Sequence, residues 1–363
     1  MYDWLRRIFS DSAKGGATAV ASRPRVAAMA AAASTTPVPA PARTAHFASD
    51  SVTSMQRDQV DFIFASWLFE AESHPDLFTN GSEDAILAAL DGVVKSNESG
   101  AHLVRRMPGV IPQLLQSLRS GDFAGPELAR KISSDLVLVA EVLRLANSVA
   151  YSTGKPITSI DHAILVLGQD GLRQLITSVA FKPIINLNSG SFTRMVAPRL
   201  WAQSERCALA NRLLAVEEPV EPLEVFLAGL VQNVGLTVSL RVIDKLSDGR
   251  QPIGSPTFCN ALASYGRTLA HNIGSEWHFP ESVMTAIHEQ GENKRSTNLS
   301  PVGKVLLMGN YLSKIELLSR HGVVDIDDPH MVDGLSDKEM ACLHQLTEVE
   351  EREWVTISGG NSR

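Results

Sequence analysis

Apolar residues recur along most of this chain at the three- and four-residue spacing of α-helices. The densest stretch lies at residues 132–146, where only three side chains are charged. A helix that is apolar on nearly every side belongs in the middle of a domain. The pattern therefore predicts a buried central helix, ended by Asn147 and Ser148, whose side chains can hydrogen-bond the last free carbonyl groups.

A compact helical unit is predicted directly after this central helix. Thr158 and Asp161 have the spacing of a capping box, in which two side chains satisfy free backbone N–H groups reciprocally. Gly168 fits the left-handed position at which helices end, and Gly171 separates this short helix from the next one.

Helical spacing continues on both sides of this unit. Two amphipathic stretches precede it, at residues 60–68 and 86–94. Further helices are predicted after it at residues 200–216, 223–234, 237–246, 261–277, 282–290 and 300–319. With 44% hydrophobic and 6% aromatic residues, this spacing predicts an all-α fold.

The N-terminal segment has a different composition. Residues 15–49 are rich in Ala, Pro, Ser and Thr and nearly lack large apolar side chains, so they are predicted to form a disordered linker. Residues 1–9 have the pattern of two helical turns, which is consistent with either a frayed terminus or a segment that docks on a membrane surface or a partner.

Charge and cysteine content narrow the class of protein. Residues 1–50 carry six Lys and Arg against three Asp and Glu, a net +3, which leaves −10 for the rest of a chain whose total is −7. An acidic body argues against electrostatic binding of nucleic acid. The three cysteines are widely spaced and are expected to be buried thiols in a reducing cytoplasm, in preference to a disulfide or a zinc site. No signal peptide or transmembrane segment is expected.

Several ordered motifs resemble one known family. They are Met107-Pro-Gly-Val-Ile-Pro112, Leu143-Arg-Leu-Ala-Asn-Ser148, Thr158-Ser-Ile160, Leu167-Gly168, Phe226-Leu-Ala-Gly-Leu230 and Trp277-His-Phe-Pro280. In this order the series resembles the HDOD domain, a helical bacterial signalling module related to the HD metal-dependent phosphohydrolases, and Asn147, Ser148 and Gly168 fall within its signature.

The resemblance also suggests a domain organisation. We expect a tail at residues 1–50, a helical arm at 51–105, an HDOD-like domain at 106–320, and a C-terminal tail with a short helix at 321–363.

The related phosphohydrolases hold one or two metal ions with histidine and aspartate ligands. Carried onto this sequence, the ligand positions fall at Gln203, Gln232, Asn233, Gly266 and Asn310. Amides are weak, neutral ligands that supply no negative charge to a divalent ion. Two interpretations stay open for Gln232, Asn233 and Asn310: buried amides that pair with one another and with backbone, or the lining of a pocket for a small polar ligand such as a nucleotide.

The remaining imidazoles in this half of the chain do not restore a metal site. His271 and His278 lie seven residues apart on a predicted helix, and no acidic residue has ligand spacing with both. His288 follows on the next helix. We expect no metal and no other cofactor here.

The resemblance implies a non-enzymatic regulatory protein that acts by binding a protein partner, such as a kinase, a cyclase or a transcription regulator. Two alternatives remain. One is a divergent phosphohydrolase of a nucleotide second messenger, and the other is a receptor that binds a cyclic dinucleotide without cleaving it.

Overall fold

The computed structural model describes residues 52–71, 77–96, 157–185, 190–247, 251–292 and 299–358, with five further positions between 139 and 147. All of them fall within one compact unit, Phe47–Arg363. The predicted tail at residues 1–50, most of the predicted central helix, and Ser148 lie outside the described residues.

Every long element in the described ranges is a helix, which confirms the all-α prediction. The helices are α1 (Ser54–Leu68), α2 (Gly81–Lys95), α3 (Ile160–Ile185), α4 (Ser191–Leu214), α5 (Pro222–Val231), α6 (Val234–Leu246), α7 (Pro256–Glu276), α8 (Glu281–Glu292), α9 (Pro301–Arg320), α10 (Pro329–Val332) and α11 (Asp337–Ser358). A single 3-10 turn, Ala215–Glu217, follows α4.

Helices α4 to α9 form the body of the protein. Helix α4 packs against α5 and α9, α6 packs against α7, and α8 bridges α7 and α9. Leu200, Leu214 and Phe258 are among its largest fully buried side chains. Helices α6 and α7 approach closely because Gly235 faces the backbone of Gly266, where any side chain would collide.

The two N-terminal helices pack against this body. Helix α1 lies on α9, α7 and α4, and α2 lies on α7 and α6. Their apolar faces are buried, which fixes them by the hydrophobic effect. The buried side chains of these faces are Val60, Ile63, Phe64, Leu68, Ile86 and Leu90.

Polar contacts also anchor both N-terminal helices. Glu83 of α2 is fully buried and accepts hydrogen bonds from the backbone N–H groups of Gly254 and Ser255, each at 2.8 Å. Arg199 of α4 donates to the carbonyl oxygens of Trp67 and Leu68 at 2.9 and 3.1 Å. These carbonyls belong to the C-terminal turn of α1, whose acceptors have no intrahelical partner.

An asparagine side chain and a left-handed glycine mark the helix ends around the family signature. Asn147 Nδ2 donates to Leu143 O at 2.7 Å, and Asn147 Oδ1 accepts from Ile157 N at 2.7 Å. The predicted helix-ending role of Asn147 is therefore confirmed. Gly168 has φ 70°, the left-handed conformation predicted for it, and divides α3 into two helical segments, whereas Gly171, which was predicted to separate them, lies inside α3.

The predicted capping box is misplaced by one residue. Helix α3 begins at Ile160, and the hydroxyl of Ser159 accepts from His162 N at 3.0 Å. Ser159 is thus the N-cap in place of Thr158, since its oxygen reaches the free donor of the first turn.

Helix α4 begins at Ser191, before the predicted residue 200. The carboxylate of Asp244 accepts from Phe192 N at 2.9 Å and is also bonded by the Thr193 hydroxyl. An acidic group at a helix N-terminus satisfies free N–H groups and complements the helix dipole. Helix α7 likewise begins at Pro256, five residues before the predicted start at Ala261.

The C-terminal helix is longer than the short helix expected in a tail. Helix α11 has 22 residues and packs on α9 and α4. Cys342, Leu343 and Leu346 are buried there. This helix therefore contributes to the core.

One apolar run has the length and composition of a membrane span. An 18-residue window within Pro222–Leu246 has a mean hydropathy of 1.5, and 78% of that window is buried inside the protein. The run is divided between α5 and α6 at Gln232 and Asn233. Core helices of folded domains share these properties, so the run is weak support for membrane insertion.

Candidate functional site

Three of the five aligned amide and glycine positions meet in one hydrogen-bonded chain. Asn233 Nδ2 donates to Gln203 Oε1 at 2.6 Å, and Gln203 Nε2 donates to Asn310 Oδ1 at 2.8 Å. The residues come from the turn between α5 and α6, from α4 and from α9. Of the three amides predicted to pair, Asn233 and Asn310 are joined through Gln203, whereas no hydrogen bond links Gln232 to them.

Two serine hydroxyl groups complete the chain. Ser204 Oγ accepts from Asn233 Nδ2 at 3.0 Å, and Ser313 Oγ accepts from Gln203 Nε2 at 3.0 Å. Gln203 is 1% exposed. Its amide orientation follows from the network, because each nitrogen faces an acceptor.

A cavity of about 530 Å³ opens beside this amide chain. Gln232, Asn233, Gly266 and Asn310 line it, whereas Gln203 lies behind the wall. The structure therefore supports both interpretations of the sequence: the amides pair, and some of them also face a pocket. Apolar residues form much of the remaining wall, including Leu200, Leu236, Leu240, Leu262 and Ile287.

Helix α1 supplies one side of the cavity. Its residues Arg57, Asp58, Asp61 and Phe62 are part of the lining. Lys314 of α9 also lines the cavity and bonds Asp61 at 2.7 Å. The contribution of α1 was not predicted from sequence.

Arg267 of α7 is a further cation in the cavity wall. It is half-buried, and no hydrogen bond or ion pair engages it within the part of the chain that the structure describes. Burial lowers the pKa of its guanidinium, an effect that nearby Asp61 opposes. No local signal in the sequence indicates that this arginine faces a pocket.

Within the ranges that the structure describes, two glutamines of the wall each have a buried side-chain atom that no hydrogen bond engages. These atoms are Gln232 Nε2 and Gln290 Oε1. Gln290 Nε2 donates to Ala286 O at 2.9 Å and to Gly303 O at 3.2 Å, which fixes the orientation of its amide. Both atoms are covered by protein and are not exposed in the cavity, and the Gln232 amide lies beside the Cys207 thiol.

The cysteines near the cavity are poor nucleophiles. Burial raises the pKa of Cys207 to about 12, and the neighbouring amide of Gln232 opposes the rise. Cys259 lines the cavity, and burial raises its pKa to about 12 as well. All three cysteines, including Cys342, are free thiols. Since the thiolate is the reactive form, neither of the two near the cavity is suited to nucleophilic catalysis at neutral pH.

Of the three histidines considered from the sequence, the structure pairs two that lie on different helices. His271 lies against His288, with ring centroids 5.5 Å apart. His278 sits beyond the end of α7 with φ 58°. Within the described ranges, no three His, Cys, Asp or Glu side chains are grouped so as to hold a metal ion.

The residues at the aligned metal positions do not fit a divalent ion. Gln203 Oε1 and Asn310 Oδ1 already accept hydrogen bonds within the amide chain. Gly266 has no side chain to offer. Asp61, a carboxylate in the cavity wall, is paired with Lys314. A phosphohydrolase site needs anionic ligands that hold the ion and activate its bound water, and this donor set supplies neither.

Comparison with known proteins agrees with this architecture. A Geobacter sulfurreducens HDOD domain protein of unknown function shares 19% identity and a TM-score of 0.51, over 73% of this chain and 96% of that one. A Shewanella amazonensis SB2B protein, provisionally named a metal-dependent phosphohydrolase, shares 18% identity and a TM-score of 0.51, over 74% and 99%. At such identities the likeness shows the fold.

A curated relative of uncharacterised role comes from Treponema pallidum (strain Nichols). It is 21% identical over 193 residues, which are 51% of this chain and 37% of the relative. The match thus spans little more than a third of that protein. The HDOD domain family model matches residues 104–292, more than half of the chain, and the chain belongs to the HDOD domain family.

Proposed function

We propose that this protein is a non-enzymatic signal-transduction component whose HDOD domain acts by binding a protein partner. Membership of the HDOD family supports the signalling role. The observation that supports the non-enzymatic part is the amide chain Asn233–Gln203–Asn310, in which Gln203 Oε1 and Asn310 Oδ1 are already used as hydrogen-bond acceptors.

The name of the Shewanella amazonensis relative raises hydrolysis as the rival activity. To carry out that reaction, this chain would need to bind a divalent ion with neutral amides that are already hydrogen-bonded to one another. Desolvating a divalent ion without anionic ligands is unfavourable. We therefore infer that this chain keeps the fold of the family but does not carry out the hydrolysis.

Metal content and turnover test this part of the proposal. The purified full-length protein is expected to contain no stoichiometric iron, manganese or zinc and to cleave neither phosphodiesters nor phosphomonoesters. Asn233→Ala and Asn310→Ala serve as site variants. Stoichiometric metal together with hydrolysis that either substitution abolishes would contradict the proposal.

The partner is expected to be a kinase, a cyclase or a transcription regulator in the cytoplasm. Affinity purification from the native cell with mass spectrometry would identify candidates, and reconstitution with the purified candidate would establish direct binding. We propose that the partner binds the outer surface of the helical domain and not the amide chain, so Asn310→Ala should still bind the partner. Loss of binding in that variant, without loss of stability, would assign function to the amide site instead.

A further inference from the structure

One partly exposed group of side chains on the outside of the body combines cations from two helices. Arg199 and Arg206 lie on α4, Arg320 is the last residue of α9, and His321 follows it. Trp67, near the end of α1, completes the group, which we call the arginine face. We propose that the arginine face is the docking surface for an acidic segment of the protein partner. This rests on the proposed function, since it names the chemistry by which the partner is recognised.

Contacts with Trp67 hold one half of the arginine face in place. The guanidinium of Arg199 lies 4.9 Å from the centre of the Trp67 ring, and the ring of His321 lies 4.9 Å away, between centroids. Arg199 also pairs with Glu70, whose side chain is 60% exposed. An ion pair this exposed is screened by water and is worth little, so a carboxylate of a partner can replace that of Glu70 at small cost.

Two further arginines share one buried carboxylate in the other half. Arg206 Nε donates to one oxygen of Glu316, and Arg320 Nε donates to the other. Glu316 is 1% exposed, whereas the side chains of Arg206 and Arg320 keep 12% and 23% of their surface exposed. The single negative charge is thus buried behind two positive ones, and this half presents a net positive charge to solvent.

The imidazole of His321 responds to this distribution of charge. Partial desolvation lowers the pKa of His321, the three arginines of the face lower it further, and Glu316 opposes them. His321 is exposed, so the positive field reaches the surface, in a chain whose net charge is −7. Such a field attracts an acidic segment, and each guanidinium can donate two parallel hydrogen bonds to a carboxylate.

The spacing of the cations favours a peptide segment over a small anion. Arg199 and Arg206 are seven residues apart on the same side of α4, about 10 Å along the helix axis. One inorganic phosphate ion cannot span that distance. An extended segment rises about 3.3 Å per residue, so carboxylates three residues apart can reach both arginines. Nucleic acid is disfavoured, because residues 51–363 carry a net charge of −10.

The test uses the full-length protein and fluorescently labelled deca-glutamate as a defined acidic probe. Fluorescence anisotropy should show saturable binding that weakens severalfold as salt is raised, since the contact is electrostatic. Deca-glutamine, a single-stranded DNA decamer and vesicles containing phosphatidylglycerol should each bind at least tenfold more weakly. Tighter binding of the DNA or of the vesicles than of deca-glutamate would assign the face to nucleic acid or to a membrane and overturn the proposal.

Two substitutions at one exposed position isolate the effect of charge. His321→Lys adds a positive charge and should tighten binding of deca-glutamate at least threefold, whereas His321→Glu should weaken it at least threefold. Both remove the same ring contact with Trp67, so opposite effects cannot come from lost packing. The matched control is Lys95→Gln, which removes a charge from a side chain that is 74% exposed on α2 and should bind like the unmodified protein.

Arg320→Gln tests the arginines themselves. It should weaken binding at least threefold in a protein that still folds, because Arg206 continues to pair with Glu316. The proposal is overturned if deca-glutamate does not bind at millimolar concentration, or if His321→Lys and His321→Glu bind it equally. Either result leaves the proposed function intact, because other surfaces remain for the partner. Hydrolysis by a metal-loaded protein would instead contradict the proposed function and leave the arginine face to be judged by these variants.

Discussion

A compact group of charged and aromatic side chains connects α1 to α4 and α9. Trp67 lies between the guanidinium of Arg199, 4.9 Å from the ring centroid, and the imidazole of His321, whose centroid is 4.9 Å away. Glu316 is 1% exposed and forms ion pairs with Arg206 and Arg320. Two cations are thus neutralised in part by one buried carboxylate, and His321 is placed in a positive environment.

His321 should make stability depend on pH. His321 is exposed, but partial desolvation of its ring lowers its pKa from 6.5, and three surrounding arginines add to the effect while Glu316 opposes it. The unfolded chain therefore takes up a proton on this imidazole before the folded protein does. Stability contributed by neutral His321 is complete above about pH 6.5 and falls as the pH drops toward the lower folded pKa.

Urea unfolding at pH 7.5 and pH 5.5 would measure this contribution. His321→Phe keeps a ring against Trp67 but cannot titrate, so its free energy of unfolding should fall less between the two pH values than that of the unmodified protein. The other nine histidines affect both proteins alike. An equal decrease in both would show that His321 does not contribute.

At the scale of elements, the close packing of α6 on α7 depends on two glycines. A Cβ at Gly235 would meet the carbonyl oxygen of Gly266 and the N–H of Ala270, both backbone atoms that cannot rotate away. In contrast, a Cβ at Gly92 of α2 would meet nothing within 4 Å. The same substitution should therefore have opposite effects at the two positions.

Gly235→Ala should destabilise the protein by about 1–3 kcal/mol or more, because it forces two helices apart. Gly92→Ala should stabilise it by about 0.5–1 kcal/mol, because alanine loses less backbone entropy in a helix. Thermal or urea denaturation of the two variants would check the signs. A Gly235→Ala protein as stable as Gly92→Ala would mean that α6 and α7 are not packed as described.

The helices could be predicted from sequence where local signals define them. The predicted ranges for α5, α6, α8 and α9 agree with the structure to within a few residues, because apolar spacing marks them and a proline also stands at the start of α5 and α9. The start of α4 could not be predicted, since Asp244, more than 50 residues away, supplies its N-terminal acceptor.

The site could be predicted only in part from the sequence. Asn233, Gln203 and Asn310 were brought together by their alignment to one family pattern, and the structure joins them directly. Arg57 and Asp61 lie before the family match, which begins at residue 104. Their place in the cavity depends on how α1 packs, through contacts such as the Lys314–Asp61 pair, whose two residues are 253 positions apart.

At the scale of the whole molecule, the HDOD match and the folded unit have different limits. The match starts at residue 104, whereas the compact unit is Phe47–Arg363. Helices α1 and α2 bury apolar side chains against the body and bind it through Glu83 and Arg199. These two helices therefore belong to the core of the protein even though they precede the family match.

A chain shortened to begin at residue 104 should accordingly fold poorly. Removing α1 and α2 exposes the apolar surfaces of α6, α7 and α9 that they cover, at a cost of about 25 cal/mol for each Å² of apolar area. It also leaves the backbone N–H groups of Gly254 and Ser255 without the carboxylate of Glu83. Since domains are stable by only about 5–15 kcal/mol, we expect aggregation or a melting temperature lowered by well over 10 °C.

A chain shortened to begin at residue 47 is the control and should melt like the full-length protein, because it keeps the entire compact unit. Calorimetry of both would decide, and equal melting temperatures for the two would show that α1 and α2 are an appendage to a domain that is complete without them.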